Sequence, residues 1–192
     1  MLSSHLKFAH ILWEKQLKTP PLGVVVDATL GNGHDLVALA KMINGCAPLV
    51  GYDIQTEAIA NTQKKIKEEL TKEEKTNLLI KNQSHADLIE ENIKLIVYNL
   101  GYLPGANKAI TTQTESTLKS IQLALPRLIE DGLISITCYP GHPEGARELQ
   151  ALKEFAQSLC KKSFCVSFMQ WLNRKNAPCL LLIQRNGAPH PS

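Results

Sequence analysis

The sequence predicts an α/β fold: a seven-stranded, mostly parallel sheet with a terminal antiparallel hairpin and helices on both faces. Two observations carry this. Apolar runs of strand length alternate with helix-period stretches almost to the end of the chain, the pattern that builds a parallel sheet covered by its crossover helices. Then "FCVSFMQWL" (164–172) and "PCLLLIQ" (178–184) follow one another with no helix between them, which makes a hairpin and adds one antiparallel strand. A length of 192 residues suits one domain. Residues 1–186 are expected to form it, with an N-terminal helix over 1–18 packed on the rest and a flexible tail over 187–192.

The elements follow in order. Residues 2, 6, 8, 9, 11, 12, 13 and 17 are apolar, as in a helix lying on a core. "TPPLG" breaks that pattern, and "VVVDA" (24–28) is a short buried strand. Leu36, Leu39, Ala40 and Ile43 mark the next helix, and "PLVGYD" (48–53) the second strand. A helix with its inner face at 59, 62, 66 and 70 precedes a weak third strand over 77–81. The fourth strand is "IKLIVYNL" (93–100), followed by a helix using Leu118, Ile121, Leu125 and Leu128. "LISITCY" (133–139) is the fifth strand, and its helix carries Leu149, Leu152, Phe155 and Leu159.

Composition narrows the function classes. The chain is 44% hydrophobic and 20% charged, as in ordinary globular domains. Its net charge of +3 and pI near 8.6 permit a nucleic-acid partner without demanding one. Five scattered cysteines, with no CxxC pair, indicate neither a disulfide framework nor a zinc site, so no metal is expected and the thiols suit a reducing cytoplasm. No apolar run approaches the ~20 residues of a membrane span.

In open α/β sheets the ligand site lies at the carboxyl ends of the strands, so the strand tips hold the candidate residues. The first is "DATLGNGHD" (27–35). Gly31 and Gly33 allow a tight turn and close approach of a ligand, and the helix that starts there offers free N–H groups to an anion. A plain strand-to-helix turn would use glycines equally well. Leu36 stands where a nicotinamide-type GxGxxG needs a small residue, which disfavours a dehydrogenase. At the second tip Asp53 can accept both hydroxyls of a ribose; its rival role is a helix cap. Past the third strand Ser84, His85 and Asp87 stand where an adenine edge is commonly met, or where Ser84 caps a turn. The fourth tip, "NLGYLPGANKAITT" (99–112), is a bending, aromatic-tipped loop where a bland turn would do; Asn99 and backbone carbonyls offer acceptors and Tyr102 a flat face. The fifth, "YPGHPEG" (139–145), starts a helix with Pro143 and Glu144. Its His142 is an acid–base group, a hydrogen-bond donor or a cap.

These tips resemble a known class. Acid-x-Thr-x-Gly-x-Gly at Asp27–Gly33 is similar to the first motif of class I S-adenosylmethionine-dependent methyltransferases, whose Rossmann-like sheet ends in the same hairpin. "NLGYLP" is similar in order to the Asn/Asp-Pro-Pro-aromatic loop of methyltransferases acting on base amino groups, with Leu-Gly interrupting the Pro-Pro. "DATLGNGHD", "NLGYLPGANKAITT" and "YPGHPEG" together resemble the tRNA 5-(aminomethyl)-2-thiouridine methyltransferase family, formerly labelled putative rRNA methylases, over nearly the whole chain. One departure is Gly105-Ala106-Asn107-Lys108 where that family reads Gly-Gly-Asp-Lys.

The resemblance implies methyl transfer from S-adenosyl-L-methionine to the aminomethyl nitrogen of a wobble uridine, with the anticodon loop of tRNA as partner. It places Asp27, Thr29, Gly31, Asn32, Gly33, His34, Asp35, Asp53, Ile54, Gln55, Ser84, His85, Asn99 and Gly101 at the cofactor. Tyr102, Pro104, Lys108, Thr111, Thr112, Tyr139, His142 and Glu144 are placed at the substrate, with Asn99, Tyr102 and His142 catalytic. A wobble base must be splayed out to enter such a pocket, and Lys108, Lys119, Arg127, Arg147, Lys161, Lys162, Arg174 and Lys175 are candidate backbone contacts. The small basic excess suggests a homodimer whose second subunit completes the tRNA surface. The rivals are a methyltransferase acting on ribosomal RNA, one acting on a small-molecule amine, and an idle cofactor-binding subunit.

Overall fold

The computed structural model describes residues 4–100 and 114–187. Its elements run α1 (Ser4–Lys18), β1 (Val24–Asp27), α2 (His34–Ile43), β2 (Leu49–Tyr52), α3 (Thr56–Glu69), β3 (Leu78–Lys81), β4 (Ile93–Asn99), α4 (Thr114–Ala124), β5 (Leu128–Cys138), α5 (Pro143–Ser158), β6 (Phe164–Met169) and β7 (Cys179–Arg185). The seven strands form one sheet in the order β3-β2-β1-β4-β5-β7-β6. All neighbours from β3 to β5 pair in parallel, and β7 is antiparallel to both β5 and β6. The predicted fold class is the observed one. The order reverses between β1 and β4, the crevice where open α/β sheets bind ligands.

Alternation along the central strands sends side chains to two cores. Val25, Leu49, Leu95 and Val97 pack with Trp13, Leu36, Leu39 and Ile43 beneath α1, α2 and α3. Val26, Ile96, Tyr98, Ile134 and Ile136 pack with Ile121, Ala124 and Leu152 beneath α4 and α5. With both faces covered, the strands have to read as continuous apolar runs, and β4 is buried from Ile93 through Tyr98.

One helix boundary differs from the expectation. Leu128, placed above on the inner face of a helix, instead begins β5 opposite Ile93. Pro126 is the cause: α4 ends at Ala124 and a short 3-10 turn spans Leu125–Arg127, because proline offers no N–H and turns the residue before it away from helix. The strand then bulges, with Asp131 at φ 59°, before the ladder resumes at Leu95 and Leu133.

The N-terminal helix matters most for the site. Its far end is anchored by Gln16, whose side-chain amide donates to the carbonyl of Asp131 at 2.6 Å. Its middle is anchored by Trp13, 1% exposed, whose Nε1–H donates to Ser135 Oγ at 2.8 Å. Its first turns therefore lie over the carboxyl end of the sheet. On the opposite face, Glu148 of α5 is buried against α4, where Thr117 Oγ1 donates to it at 3.1 Å. Burial raises its pKa from 4.5 to about 7, with the Thr117 hydrogen bond opposing.

Two outcomes follow from this packing. Trp13→Ala should lower the unfolding free energy measured in urea by about 3–5 kcal/mol. The native state holds the Glu148 proton above the pH at which the unfolded chain releases it. Wild-type stability should therefore fall by roughly 2–3 kcal/mol as pH rises from about 4.5 to about 7. Urea titrations across that window should show Glu148→Gln with a flatter profile.

Candidate active site

At the end of β1, Asp27 is 1% exposed. Its Oδ1 accepts from Thr29 N at 3.1 Å, while its Oδ2 is buried without a hydrogen-bond partner among the described residues. Burial, and next the charge of Asp35, hold its pKa well above the carboxylate range. The turn that follows takes Gly31 to φ 50° and Gly33 to φ 74°. A Cβ on Gly33 would stand 2.8 Å from Thr62 Oγ1, so glycine there serves both the left-handed backbone and the close approach of α3.

Asp53, at the end of β2, ties this turn down. Its Oδ2 accepts from Gly31 N at 2.9 Å and its Oδ1 from Gln55 N at 2.9 Å. Asp53 closes a turn ahead of α3 rather than capping it, since the N-cap is Gln55 and carries no side-chain cap bond, and each oxygen keeps a lone pair for a ribose hydroxyl. Asn32 Oδ1 accepts from Asn61 Nδ2 at 3.1 Å. Ile54 and His34 are exposed.

The fourth tip meets the first directly: Thr29 Oγ1 accepts from Asn99 N at 2.7 Å. Asn99 Nδ2 donates to Asp35 Oδ2 at 3.0 Å, and His10 Nε2 lies 3.0 Å from Asp35 Oδ1. An ionised carboxylate only accepts, so His10 carries its proton on Nε2 and Asn99 must face Asp35 with its NH2. The Asn99 carbonyl oxygen is thereby turned away from Asp35. Tyr139, at the fifth tip, hydrogen-bonds the Asn99 side chain as well, and His5 Nε2 lies 3.3 Å from its hydroxyl. Burial and then Asp35 raise the Tyr139 pKa to about 12, so the hydroxyl keeps its proton. Burial lowers the pKa of His5, with Asp35 opposing.

Sequence reading missed His5 and His10. Nothing in the local sequence relates a helix over 4–18 to residues 35, 99 and 139; the only hint was two histidines spaced five apart in a helix with an apolar face.

The remaining tips are mixed. Ser84 Oγ accepts from Ala86 N at 3.1 Å, a cap on the short 3-10 turn His85–Asp87. His85 packs edge-on to Tyr98 with centroids 5.8 Å apart. Its Nδ1 is buried without a partner among the described residues, and burial lowers its pKa to about 4, so it is neutral. Asp87 is exposed, 3.7 Å from the Lys119 ammonium. His142 caps α5, its Nδ1 accepting from Gly145 N at 3.1 Å; the neutral ring therefore carries its proton on Nε2. Glu144 pairs with Arg147 at 2.7 Å on the surface. Gly101, Tyr102, Pro104, Lys108, Thr111 and Thr112 lie outside the described residues. Among the described residues no cluster of three or more His, Cys, Asp or Glu could hold a metal ion, and no helix is long and apolar enough to cross a membrane.

Known proteins resemble this chain in sequence and fold. The family described as "Putative rRNA methylase" matches residues 49–185. The chain belongs to that family. It is 35% identical over 185 residues to a "tRNA (mnm(5)s(2)U34)-methyltransferase, chloroplastic" of Arabidopsis thaliana, covering 91% of this chain and 67% of that protein. Two solved structures agree closely. A "putative rRNA-methylase" from Clostridium thermocellum matches with TM-score 0.86 and 30% identity over 96% of this chain and 99% of its own. A "putative methyltransferase" from Streptococcus mutans in complex with SAH matches with TM-score 0.80 and 29% identity, again over 96% and 99%. The protein is a methyltransferase that uses S-adenosyl-L-methionine.

The residues present fit that cofactor. Its methionine moiety carries an ammonium group, and Asp27 Oδ2 is a buried acceptor without a partner beside the glycine turn. The neutral His85 ring likewise holds an unused nitrogen for a nucleobase edge. The cofactor and network residues separate in their expected effects. Asp53→Ala, which also frees the Gly31 N–H, should weaken cofactor binding in calorimetry. Asn99→Ala should leave that binding near wild type and cut kcat. His10→Ala should also lower kcat, about ten- to a hundredfold, with cofactor affinity kept. Equal loss of cofactor binding in all three would refute the division of roles.

Proposed function

We propose that the enzyme methylates the aminomethyl nitrogen of 5-aminomethyl-(2-thio)uridine at the wobble position of tRNA. The observation that carries this is the orientation of Asn99. With its NH2 committed to Asp35, it offers a carbonyl oxygen, an acceptor that holds an N–H of the attacking amine while the lone pair points at the methyl group. The name of the Arabidopsis relative supports the same substrate.

The bound cofactor supplies an electrophilic methyl group on a sulfonium. What the chain supplies is mostly position. An alkylammonium has no lone pair, so the amine has to be neutral when it attacks, and burial disfavours its charged form. Tyr139, protonated at neutral pH, is a second hydrogen-bonding group beside Asn99. His142, with its Nδ1 occupied by the α5 cap, presents Nε2–H, and so acts as a donor to the uracil ring rather than as a base. Tyr102 and the segment through Thr112, which continues directly from Asn99, are assigned to base stacking and backbone contact in this reading.

The anticodon loop is then the partner, and a second subunit completing its surface is part of the proposal, given a net charge of only +3. Five free cysteines suit a reducing compartment, which supports a cytoplasmic location. The family description favours ribosomal RNA as the alternative substrate.

The deciding assay is methyl transfer with purified protein, cofactor and bulk tRNA from cells lacking the final methylation, with ribosomal RNA in parallel, followed by nucleoside mass analysis. The expected result is one methyl gained on 5-aminomethyl-2-thiouridine and none on ribosomal RNA. A gain on ribosomal RNA alone would overturn the substrate.

A further inference from the structure

Because β7 is antiparallel to β5 and β6 is antiparallel to β7, β6 runs in the same direction as the parallel strands. Its carboxyl end at Met169 therefore lies on the edge of the sheet that carries Asp27 and Asn99. The loop leaving it, residues 170–178, abuts the fifth tip: a Cβ on Gly141 would stand 3.6 Å from Asn176 O. The hairpin requires only a short turn here, yet this loop is nine residues long and reads "QWLNRKNAP", two cations with no acid.

Its side chains are unusual for a surface turn. Leu172 is 95% exposed, more than any other large hydrophobic among the described residues. The Arg174 guanidinium stands 5.9 Å from the centroid of the Trp171 ring, and Arg174 and Lys175 are exposed. An indole backed by a guanidinium, beside a projecting apolar side chain and an exposed lysine, is the combination that holds unstacked nucleotides. The rings stack on bases and the cations meet phosphates.

We infer that the β6–β7 loop is a landing platform for the single-stranded nucleotides that flank the splayed-out target base, with Trp171 and Arg174 stacking on one of them and Lys175 contacting the backbone. The inference rests on the tRNA reading above and adds where the RNA is held. Position explains the need. Extruding a base costs unstacking energy that contacts to its neighbours help to offset, and this loop lies against Gly141, two residues from the Tyr139 that hydrogen-bonds Asn99.

The test measures binding of the unmodified tRNA and its methylation by wild type, Trp171→Ala, Trp171→Phe and Lys175→Ala. Trp171→Ala should weaken tRNA binding and raise the KM for tRNA about 5- to 150-fold, with cofactor affinity and thermal melting unchanged. Trp171→Phe should restore most of the loss. Lys175→Ala should lower the slope of log Kd against log salt by about 0.7–0.9. If wild type methylates the tRNA and Trp171→Ala matches it in Kd and KM, the platform is overturned while the substrate reading stands. If Trp171→Ala instead dissociates a dimer at unchanged tRNA affinity, the loop is a subunit contact and the platform is again overturned. If wild type neither binds nor methylates tRNA, the substrate reading itself falls first.

Discussion

Asp35 is a carboxylate almost removed from water, 6% exposed, and the site is arranged around that fact. A buried charge must be hydrogen-bonded or it destabilises the fold by several kcal/mol. The first turn of α2 gives it a favourable dipole end, and two side chains complete it: His10 on one oxygen and Asn99 on the other. Those partners come from α1 and β4, so one carboxylate joins three elements that are remote in sequence. It also fixes which end of the Asn99 amide faces outward, and its field reaches Asp27 and Tyr139. The N-terminal helix thus both covers the core and reaches the strand tips.

The same crowding of acids makes this end of the sheet suited to a positive charge. Asp27 cannot readily ionise while it is buried beside Asp35 with one oxygen unpartnered. A positive charge placed beside it would favour its ionised form. Asp53 stands apart from this. Its oxygens hold the backbone of Gly31 and Gln55, and so set the shape of the glycine turn.

Strand direction decides what else can reach the chemistry. The reversal between β1 and β4 places two tips side by side, close enough for Thr29 to accept the Asn99 N–H. The antiparallel β7 returns β6 to the same sense, so the exposed basic loop after β6 opens on the edge that carries the site. His142 shows a local device serving two ends: the nitrogen that caps α5 leaves the other as a donor.

The periodicity of the chain was enough for the architecture. Continuous apolar strands, helix-period spacers and a helix-free final pair specify a covered parallel sheet with a terminal hairpin, because local hydrophobic pattern and burial are the same constraint. Proline at 126 moved one boundary that the apolar pattern alone ran past. The glycine turn at 31–33 and the place of Asn99 at a strand tip were also legible, since both follow from where the apolar runs end. What only the tertiary structure decided was partnership. That Asp35 meets His10 and Asn99, that His5 reaches Tyr139, and that residues 170–178 lie against Gly141 depend on how distant segments cross in space. A hydrogen bond between residues 134 apart, as between His5 and Tyr139, leaves no trace in local spacing, because helix and strand periods record which face is buried and not what lies across from it.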